Sequence, residues 1–252
     1  MKSSDKSALS KSIVAMAIIV LFAATICPQQ AQDLPNDIKW VTQSVEYAAL
    51  CVQTYRAGWW AVKEAAQQQT EDWAVVLDVD ETVLDNSQYA VERAAVDSGY
   101  TEQSWAEWVF RKEATLIPGA KALIDSVRTL GPKAHVAYIT NRKFEHEQAT
   151  IENLQKYGLF KEDDIMLTRK GPEDTKEKRR QCVREGTGRC EKHGPLKIIA
   201  LFGDNIHDFF PVYSMTRARV YREETLPADP HWGREYFMLP NPTYGSWERD
   251  YQ

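Results

Sequence analysis

The stretch that most constrains the fold is a continuous apolar run, Trp73–Leu77, which ends directly at the carboxylates Asp78 and Asp80. Consecutive β-prone apolar residues without polar alternation are typical of a strand that is buried on both faces of a parallel sheet. In such sheets the ligand site lies beyond the carboxyl ends of the strands. The run therefore predicts an α/β protein with an acidic group at its ligand-binding edge.

Further strands and helices are predicted to alternate along the chain. Apolar runs indicate strands at 135–139, 165–167 and 197–202, and helical spacing indicates helices at 38–64, 118–131 and 145–157. The alternation predicts a doubly wound, Rossmann-like parallel sheet with right-handed crossovers. We place this core at 71–252, after an N-terminal helical segment at 32–70.

The segment from about 86 to 117 interrupts the alternation and is rich in aromatic residues without a strand pattern. We interpret it as a small helical cap inserted into the core. Two of its tryptophans, Trp105 and Trp108, together with Tyr244 near the end of the chain, are candidates for stacking on an aromatic leaving group such as a nucleobase. The alternative for each of the three is packing within the protein.

Polar clusters follow the predicted strands at one edge of the sheet. They are Asp78 and Asp80 after the first strand, Thr140-Asn141-Arg142 after the second, Lys176 a few residues past the third, and Gly203-Asp204-Asn205-Ile206-His207-Asp208 after the fourth. A single D-x-D-x-T motif is only moderately specific. Four such clusters in this order are much harder to obtain by chance, and they predict one convergent site.

The residue types in these clusters suit phosphoryl transfer, which needs an in-line nucleophile, positive charge and a proton donor. Asp78 can attack phosphorus to give an aspartyl-phosphate, and Asp80 can protonate the leaving oxygen and later activate water. Thr140 with its neighbours Asn141 and Arg142 can bind the phosphate oxygens, and Lys176 can add a charge that also pairs with Asp78.

Crowded carboxylates repel one another unless a cation offsets their charge. Asp78, Asp204 and Asp208, with the main-chain carbonyl of Asp80, would provide hard oxygen ligands that favour Mg²⁺ over zinc. Other interpretations stay open: Asp80 and Thr82 can cap a helix, and Lys176 can be solvated like its neighbours. His207 is expected to pack or support the site, and Asp208 can lie one shell behind Asp204.

The first residues have the layout of a signal peptide, because lysines precede a short apolar run at 13–27. We predict a leader at 1–31 and an exported protein, periplasmic or at the cell surface. An uncleaved leader or acylation of Cys27 would instead attach the chain to a membrane. In an oxidising compartment Cys182 and Cys190, which flank a turn-like Gly-Thr-Gly, can close a loop, whereas Cys51 is expected to be a small buried hydrophobe.

Charge restricts the partners. The formal net charge is −5, and removal of residues 1–31 takes away three lysines and one aspartate, which changes it to −7. An acidic protein of this kind is not expected to hold a nucleic-acid polymer by electrostatics. A small phosphomonoester is the expected partner.

Several segments together resemble the class C bacterial acid phosphatases of the haloacid dehalogenase superfamily, which include outer-membrane lipoprotein 5′-nucleotidases. The resemblance rests on 77–87, Tyr138–Arg142, Lys176 with Arg179-Arg180, Gly203-Asp204-Asn205, Leu239–Glu248, and Trp40 with Ser44–Tyr47. It implies a haloacid dehalogenase-type core, a cap built partly from the N-terminal segment, essential Mg²⁺ and a homodimer. It also implies Asp78 as nucleophile and ligand, Asp80 as acid/base, Thr140 and Lys176 at the phosphate, and Asp204 at the metal.

The leading hypothesis is an exported, Mg²⁺-dependent acid phosphatase for small monoesters, with nucleoside 5′-monophosphates as candidate substrates. A phosphotransferase that passes the phosphoryl group to an alcohol is one alternative. A surface binding protein that keeps the fold without turnover is the other, although such a protein has no need of this charge cluster.

Overall fold

The computed structural model describes residues 34–248, so the predictions for the leader and for Cys27 lie outside the described residues. The helices are α1 Asn36–Gln43, α2 Val45–Ala66, α3 Ser87–Ala95, α4 Glu102–Arg111, α5 Ala120–Arg128, α6 Glu147–Gln155, α7 Lys176–Glu185 and α8 Met215–Val220. The strands are β1 Trp73–Leu77, β2 Leu84–Asp85, β3 Thr115–Leu116, β4 Ala134–Lys143, β5 Ile165–Arg169, β6 Lys197–Gly203 and β7 Tyr236–Met238. None of the helices described is long and apolar enough to cross a bilayer.

The main sheet has five parallel strands in the order β5-β4-β1-β6-β7. The chain builds β4 and β5 on one side of β1 and then crosses to place β6 and β7 on the other side. The carboxyl end of β1 is therefore next to the point where the strand order reverses, which is where open α/β sheets bind their ligands. The predicted doubly wound parallel sheet is confirmed.

Both faces of β1 are covered, as its continuous apolar run predicts. Val75 and Leu77 belong to a core cluster shared with α2 and α5, whereas Ala74 and Val76 belong to a second cluster on the opposite face. Helix α2 approaches the sheet closely at Gly58, where an added Cβ would lie 2.4 Å from the ring of Phe202. A larger residue at this position would push the helix away from the sheet.

Three elements differ from the sequence prediction. The single N-terminal helix predicted for 38–64 is two helices, because Ser44 takes an extended conformation and its side chain caps α2 by accepting a hydrogen bond from the Tyr47 amide (3.1 Å). Strand β7 was not predicted, since three residues give too little pattern. Strand β4 continues past Ile139 to Lys143 and so contains the polar residues that were expected to follow it.

The segment predicted as a cap contains α3 and α4. The two-residue strands β2 and β3 pair antiparallel at its two ends, although no strand pattern was recognised there. Helix α1 packs against α3. The N-terminal helix α1 is thus in contact with one of the inserted helices, and a cap built partly from the N-terminal segment stays a prediction.

Candidate active site

The chain reverses sharply after β1 and brings Asp78 and Asp80 to the ligand-binding edge. The Val79 carbonyl accepts hydrogen bonds from the amides of Val83 (2.9 Å) and Leu84 (2.8 Å). Glu81 lies inside this turn with a φ of 50°, a left-handed conformation that is uncommon for residues other than glycine. Its buried carboxylate accepts a hydrogen bond from the Asn86 amide (3.0 Å), which ties the turn to the start of α3.

Three carboxylates meet beside this turn. Asp78, Asp204 and Asp208 each offer one oxygen, and these oxygens lie within 4.8 Å of one another. Asp204 follows β6 directly, and Asp208 closes the short helical turn Ile206–Asp208 by accepting the Asn205 amide (2.9 Å). A Cβ on Gly203 would lie 2.2 Å from Asp208 Oδ2, so the end of β6 has to be glycine for Asp208 to reach the group.

Lys176 is the cation in contact with this group. Its Nζ lies 2.8 Å from Asp78 Oδ1 and also donates a hydrogen bond to Asp208. The lysine is the first residue of α7, and Thr175 caps that helix by accepting the Lys178 amide. Burial disfavours the ammonium form, but Asp208 and Asp78 outweigh burial and raise the pKa of Lys176. The lysine is therefore charged and fixed against the carboxylates rather than solvated.

The carboxylates themselves carry more negative charge than Lys176 offsets. Burial raises the pKa of Asp78 well above its usual range, with Lys176 opposing the shift and Asp208 adding to it. Burial and the neighbouring Asp208 also raise the pKa of Asp204 to about 7. The raised pKa values reflect the cost of ionising all three carboxylates, which against one ammonium would leave an excess of two negative charges. A hard divalent cation would offset this excess and suits the oxygen-only donors.

Asp80 has different surroundings from Asp78. Its Oδ1 accepts hydrogen bonds from Arg142 Nη2 (2.7 Å), Arg142 Nε (3.0 Å) and Asn86 Nδ2 (3.0 Å). Its Oδ2 has only longer contacts, 3.3 Å to Arg142 Nε and 3.5 Å to Thr140 Oγ1. The carboxylate of Asp80 is outside the acidic group described above, so a metal contact through its main-chain carbonyl stays a prediction.

Arg142 was predicted to bind the substrate, and its position corrects this prediction. The side chain is only 2% exposed, and besides Asp80 it donates to Thr150 Oγ1 (3.1 Å) and Asn86 Oδ1 (3.3 Å). All three nitrogens of the guanidinium are thus hydrogen-bonded within the protein. These contacts fit a residue that orients Asp80 better than one that contacts a phosphate.

Thr140 and Asn141 are held at the end of β4 by a buried arginine that sequence reasoning had not assigned a role. Arg179, on α7, donates to the carbonyls of Thr140 and Leu167 and to Asn141 Oδ1 (2.7 Å). The pairing of β4 with β5 shifts register in this stretch, between Ile139 and Lys143. Arg179 therefore bridges the two strands where their ladder is interrupted.

Of the aromatic candidates, Trp105 and Trp108 have opposite environments. Trp108 is 2% exposed, and its indole donates to Asn86 Oδ1 (2.8 Å). It was predicted as a candidate for stacking on a nucleobase. Because it is buried, it packs within the protein and positions Asn86 instead. Trp105 is half-buried, and the Arg142 guanidinium carbon lies 5.6 Å from its ring centroid. This tryptophan therefore lies on the Asp80 side of the site.

The C-terminal segment contacts the site through residues other than the one predicted. Asn241 Nδ2 donates to Asp204 Oδ2 (2.8 Å), and Ser246 Oγ donates to Asn205 Oδ1 (2.8 Å). Tyr244 lies between them in sequence with its side chain 44% exposed. His207 packs against Tyr213 and contacts the Val212 carbonyl through Nε2 (2.7 Å), as expected for a supporting residue.

Asn86, Arg179 and Asn241 are the supporting residues that sequence reasoning missed as individuals. All three fall in segments that carried the family resemblance, which was the available signal. The sequence of these segments does not show which side chain each of the three residues contacts.

A cavity of about 180 Å³ opens beside Lys176 and Asn141. Arg169 and Tyr213 also line it. Its volume corresponds to about six water molecules, enough for part of a small phosphorylated molecule.

Comparison with known proteins identifies the family of the chain. Residues 1–247 match the family model for the haloacid dehalogenase (HAD) superfamily, subfamily IIIB (acid phosphatase). The class C acid phosphatase from Bacillus anthracis is 30% identical, with a TM-score of 0.70 over 84% of this chain and 85% of that chain. The same enzyme solved with tungstate bound gives 31% identity and a TM-score of 0.71 over 86% and 88% of the two chains. The chain therefore belongs to the subfamily IIIB acid phosphatases and is a phosphomonoesterase.

Proposed function

We propose that the protein is an exported, Mg²⁺-dependent acid phosphatase that hydrolyses small phosphomonoesters, including nucleoside 5′-monophosphates, through an aspartyl-phosphate on Asp78. The observation that carries the proposal is the contrast between Asp78, which lies among carboxylates and Lys176, and Asp80, which is held by Arg142. Two adjacent carboxylates with different partners are suited to the two different tasks of nucleophile and proton donor.

In the first step an oxygen of Asp78 attacks phosphorus, and the bond from phosphorus to the leaving oxygen breaks. Asp80 delivers the proton to that oxygen. Oδ2 is the atom suited to carry it, because Oδ1 already accepts three short hydrogen bonds from Arg142 and Asn86. In the second step Asp80 takes a proton from water and the water oxygen attacks the phosphorus. The bond between phosphorus and the Asp78 oxygen breaks, which restores the Asp78 carboxylate and releases inorganic phosphate.

The remaining residues bind and orient the phosphate. Lys176 places positive charge next to Asp78. The Thr140 hydroxyl lies within 3.5 Å of Asp80 Oδ2, where it can bind a phosphate oxygen. Asp78, Asp204 and Asp208, with the Asp80 carbonyl, would hold Mg²⁺, which when bound neutralises charge on the phosphate oxygens. The tungstate bound by the Bacillus anthracis relative supports an oxyanion site in this fold.

The leaving-group side is the one nearest Asp80, and Trp105 lies there. A half-buried indole packed near the arginine that holds Asp80 can stack on a nucleobase, and such stacking tolerates different bases. This position supports nucleotides as substrates without requiring them. Export is supported by the leader-like residues 1–31.

The test is hydrolysis of p-nitrophenyl phosphate and a panel of nucleoside 5′-monophosphates by the purified chain, at acidic and neutral pH, with added Mg²⁺ or with chelator. We expect phosphate release that requires Mg²⁺ and includes nucleotides. Release that is unaffected by chelator would contradict the metal assignment, and activity confined to p-nitrophenyl phosphate would contradict nucleotides as substrates.

A further inference from the structure

Cys182 and Cys190 lie in contact at the far end of the helix that carries Lys176. Their sulfur atoms are 2.9 Å apart, about 0.9 Å more than the ~2.04 Å of a disulfide bond. Cys182 is half-buried in the last turn of α7, and Cys190 is fully buried in the short helical stretch Gly188–His193. One thiol can therefore be reached from solvent, and the other is held directly behind it.

The backbone between the two cysteines is shaped to keep them together. Gly186 ends α7 in a left-handed conformation with φ 62°, and a Cβ there would lie 2.1 Å from the Gly194 carbonyl carbon. The Thr187 carbonyl accepts the Cys190 amide (2.9 Å) and also the Cys182 thiol (2.9 Å). The loop thus turns back on itself and presents both sulfurs to each other before any bond forms.

The same loop is tied to the active site. Arg189, next to Cys190, donates to the Thr168 carbonyl (2.7 Å) and to Asp174 Oδ2 (3.0 Å). Asp174 also lies 3.5 Å from Arg179 Nε, and Arg179 holds the Thr140 carbonyl. A disulfide between Cys182 and Cys190 would fix the C-terminal end of α7. The same helix begins at Lys176, which lies in the candidate active site.

We propose that Cys182 and Cys190 are a covalent modification site, and that they form a disulfide which fixes α7 when the protein reaches an oxidising compartment. The electron acceptor is a disulfide, either a small-molecule one such as oxidised glutathione or that of a thiol oxidoreductase. The proposal uses the predicted export of the protein and is independent of its catalytic activity.

The reaction takes place in two exchanges. The Cys182 thiol loses its proton, its sulfur attacks the acceptor disulfide, and one acceptor thiolate leaves. Cys190 then loses its proton and attacks the Cys182 sulfur of the mixed disulfide, which releases the second thiolate. The protein loses two protons and two electrons in total, and the acceptor is reduced to two thiols. Cys182 starts the sequence because it is the accessible one.

The expected consequence is stability rather than activity. The active site is already assembled while the two sulfur atoms are unbonded. Bringing these sulfurs to bonding distance should therefore change turnover by less than about twofold. Linking the two ends of a short loop restricts the unfolded chain, and we expect a Tm about 5–10 °C higher than that of the reduced protein.

The experiment is peptide mapping of the full chain after incubation with excess oxidised glutathione, followed by alkylation under denaturing conditions. Trypsin cuts between the cysteines, so a disulfide links the peptides Gln181–Arg184 and Cys190–Lys192. We expect this linked pair before reduction and the two separate alkylated peptides after it. Cys51→Ser should leave the linked pair intact, whereas Cys182→Ser should abolish both the pair and the Tm difference between oxidised and reduced protein.

Separate alkylated peptides after oxidation would overturn the proposal. So would separate glutathione adducts on the two cysteines, or a linkage through Cys51. Phosphatase activity is not used as a readout, so an inactive protein that forms the linked pair would refute the proposed function and leave this inference standing.

Discussion

Asp78 and Asp80 are separated by one residue, yet the regions around them are built differently. Asp78 is 8% exposed and lies among two further carboxylates with Lys176 as the contacting cation. The Asp80 side chain is 16% exposed and is held by Arg142 and Asn86. The Asp78 region carries excess negative charge within the protein, whereas the Asp80 region pairs its carboxylate with an arginine.

The difference supports different tasks for two identical side chains. The Asp78 region should depend on a cation from solution, because among the described residues Lys176 alone contacts its group of three carboxylates with a positive charge. The Asp80 region is complete without a cation, and its arginine is covered by neighbouring residues. Each of the following experiments changes one of the two regions and measures the task proposed for that region.

The largest effect is expected from Asp78→Asn, which removes the proposed nucleophile. We expect turnover to fall by about 10⁴-fold or more, since a carboxamide does not form the covalent intermediate. Rapid-mix kinetics with p-nitrophenyl phosphate should show no initial burst of nitrophenol. Unchanged thermal unfolding would confirm that the fold is intact, and retained turnover would refute Asp78 as the nucleophile.

The second largest effect is expected from removal of the cation. Turnover should fall by about 10³-fold in the presence of chelator and recover on addition of Mg²⁺. The expected cause is uncompensated charge around Asp78, so Asp204→Asn should raise the Mg²⁺ concentration needed for half-maximal activity. A matched change of an acidic residue elsewhere, Asp125→Asn on α5, should leave that concentration unchanged. Equal Mg²⁺ requirements in both variants would contradict the proposed ligand set.

Asp80→Asn separates the two steps of the reaction. The amide can still accept from Arg142 but cannot deliver or take a proton, and we expect steady-state turnover to fall by about 10²-fold. With p-nitrophenyl phosphate, whose leaving group needs little protonation, the variant should release one nitrophenol per enzyme in a burst and then turn over slowly. A uniform slow rate with no burst would mean that Asp80 is not needed to activate water.

Arg142→Lys tests whether the guanidinium positions Asp80. A lysine keeps the charge but loses the forked contact to both sides of the carboxylate, and we expect kcat to fall by about tenfold with little change in KM. If Arg142 bound the phosphate instead, KM would rise. The KM-to-kcat pattern therefore distinguishes the position seen in the structure from the original prediction.

The smallest effect is expected from Trp105→Ala, which removes the indole on the leaving-group side. Loss of base stacking should raise KM for nucleoside monophosphates by about fivefold and leave KM for a small alkyl phosphate unchanged. Trp60→Ala, an exposed tryptophan on α2, is the matched control. A similar KM change for both substrates would remove the support for nucleotide recognition by Trp105.

The parallel sheet and the polar residues at its edge could be predicted from the sequence, because both follow from local patterns. Hydrogen-bond partners that are distant in the chain could not be predicted in this way. Arg142 and Asp80 are 62 residues apart, and Asn241 and Asp204 are 37 apart. Burial of Trp108 was also missed, because aromatic residues in a predicted cap look alike until the contact with Asn86 is seen.

Arg179 shows how a sheet can be opened to make a binding crevice. Where β4 gains residues relative to β5, the ladder is interrupted beside the carbonyls of Thr140 and Leu167, and buried carbonyls without partners are costly. One guanidinium donates to both. The arginine side chain thus takes the place of backbone hydrogen bonds where the two strands separate, and it keeps them joined next to Asn141.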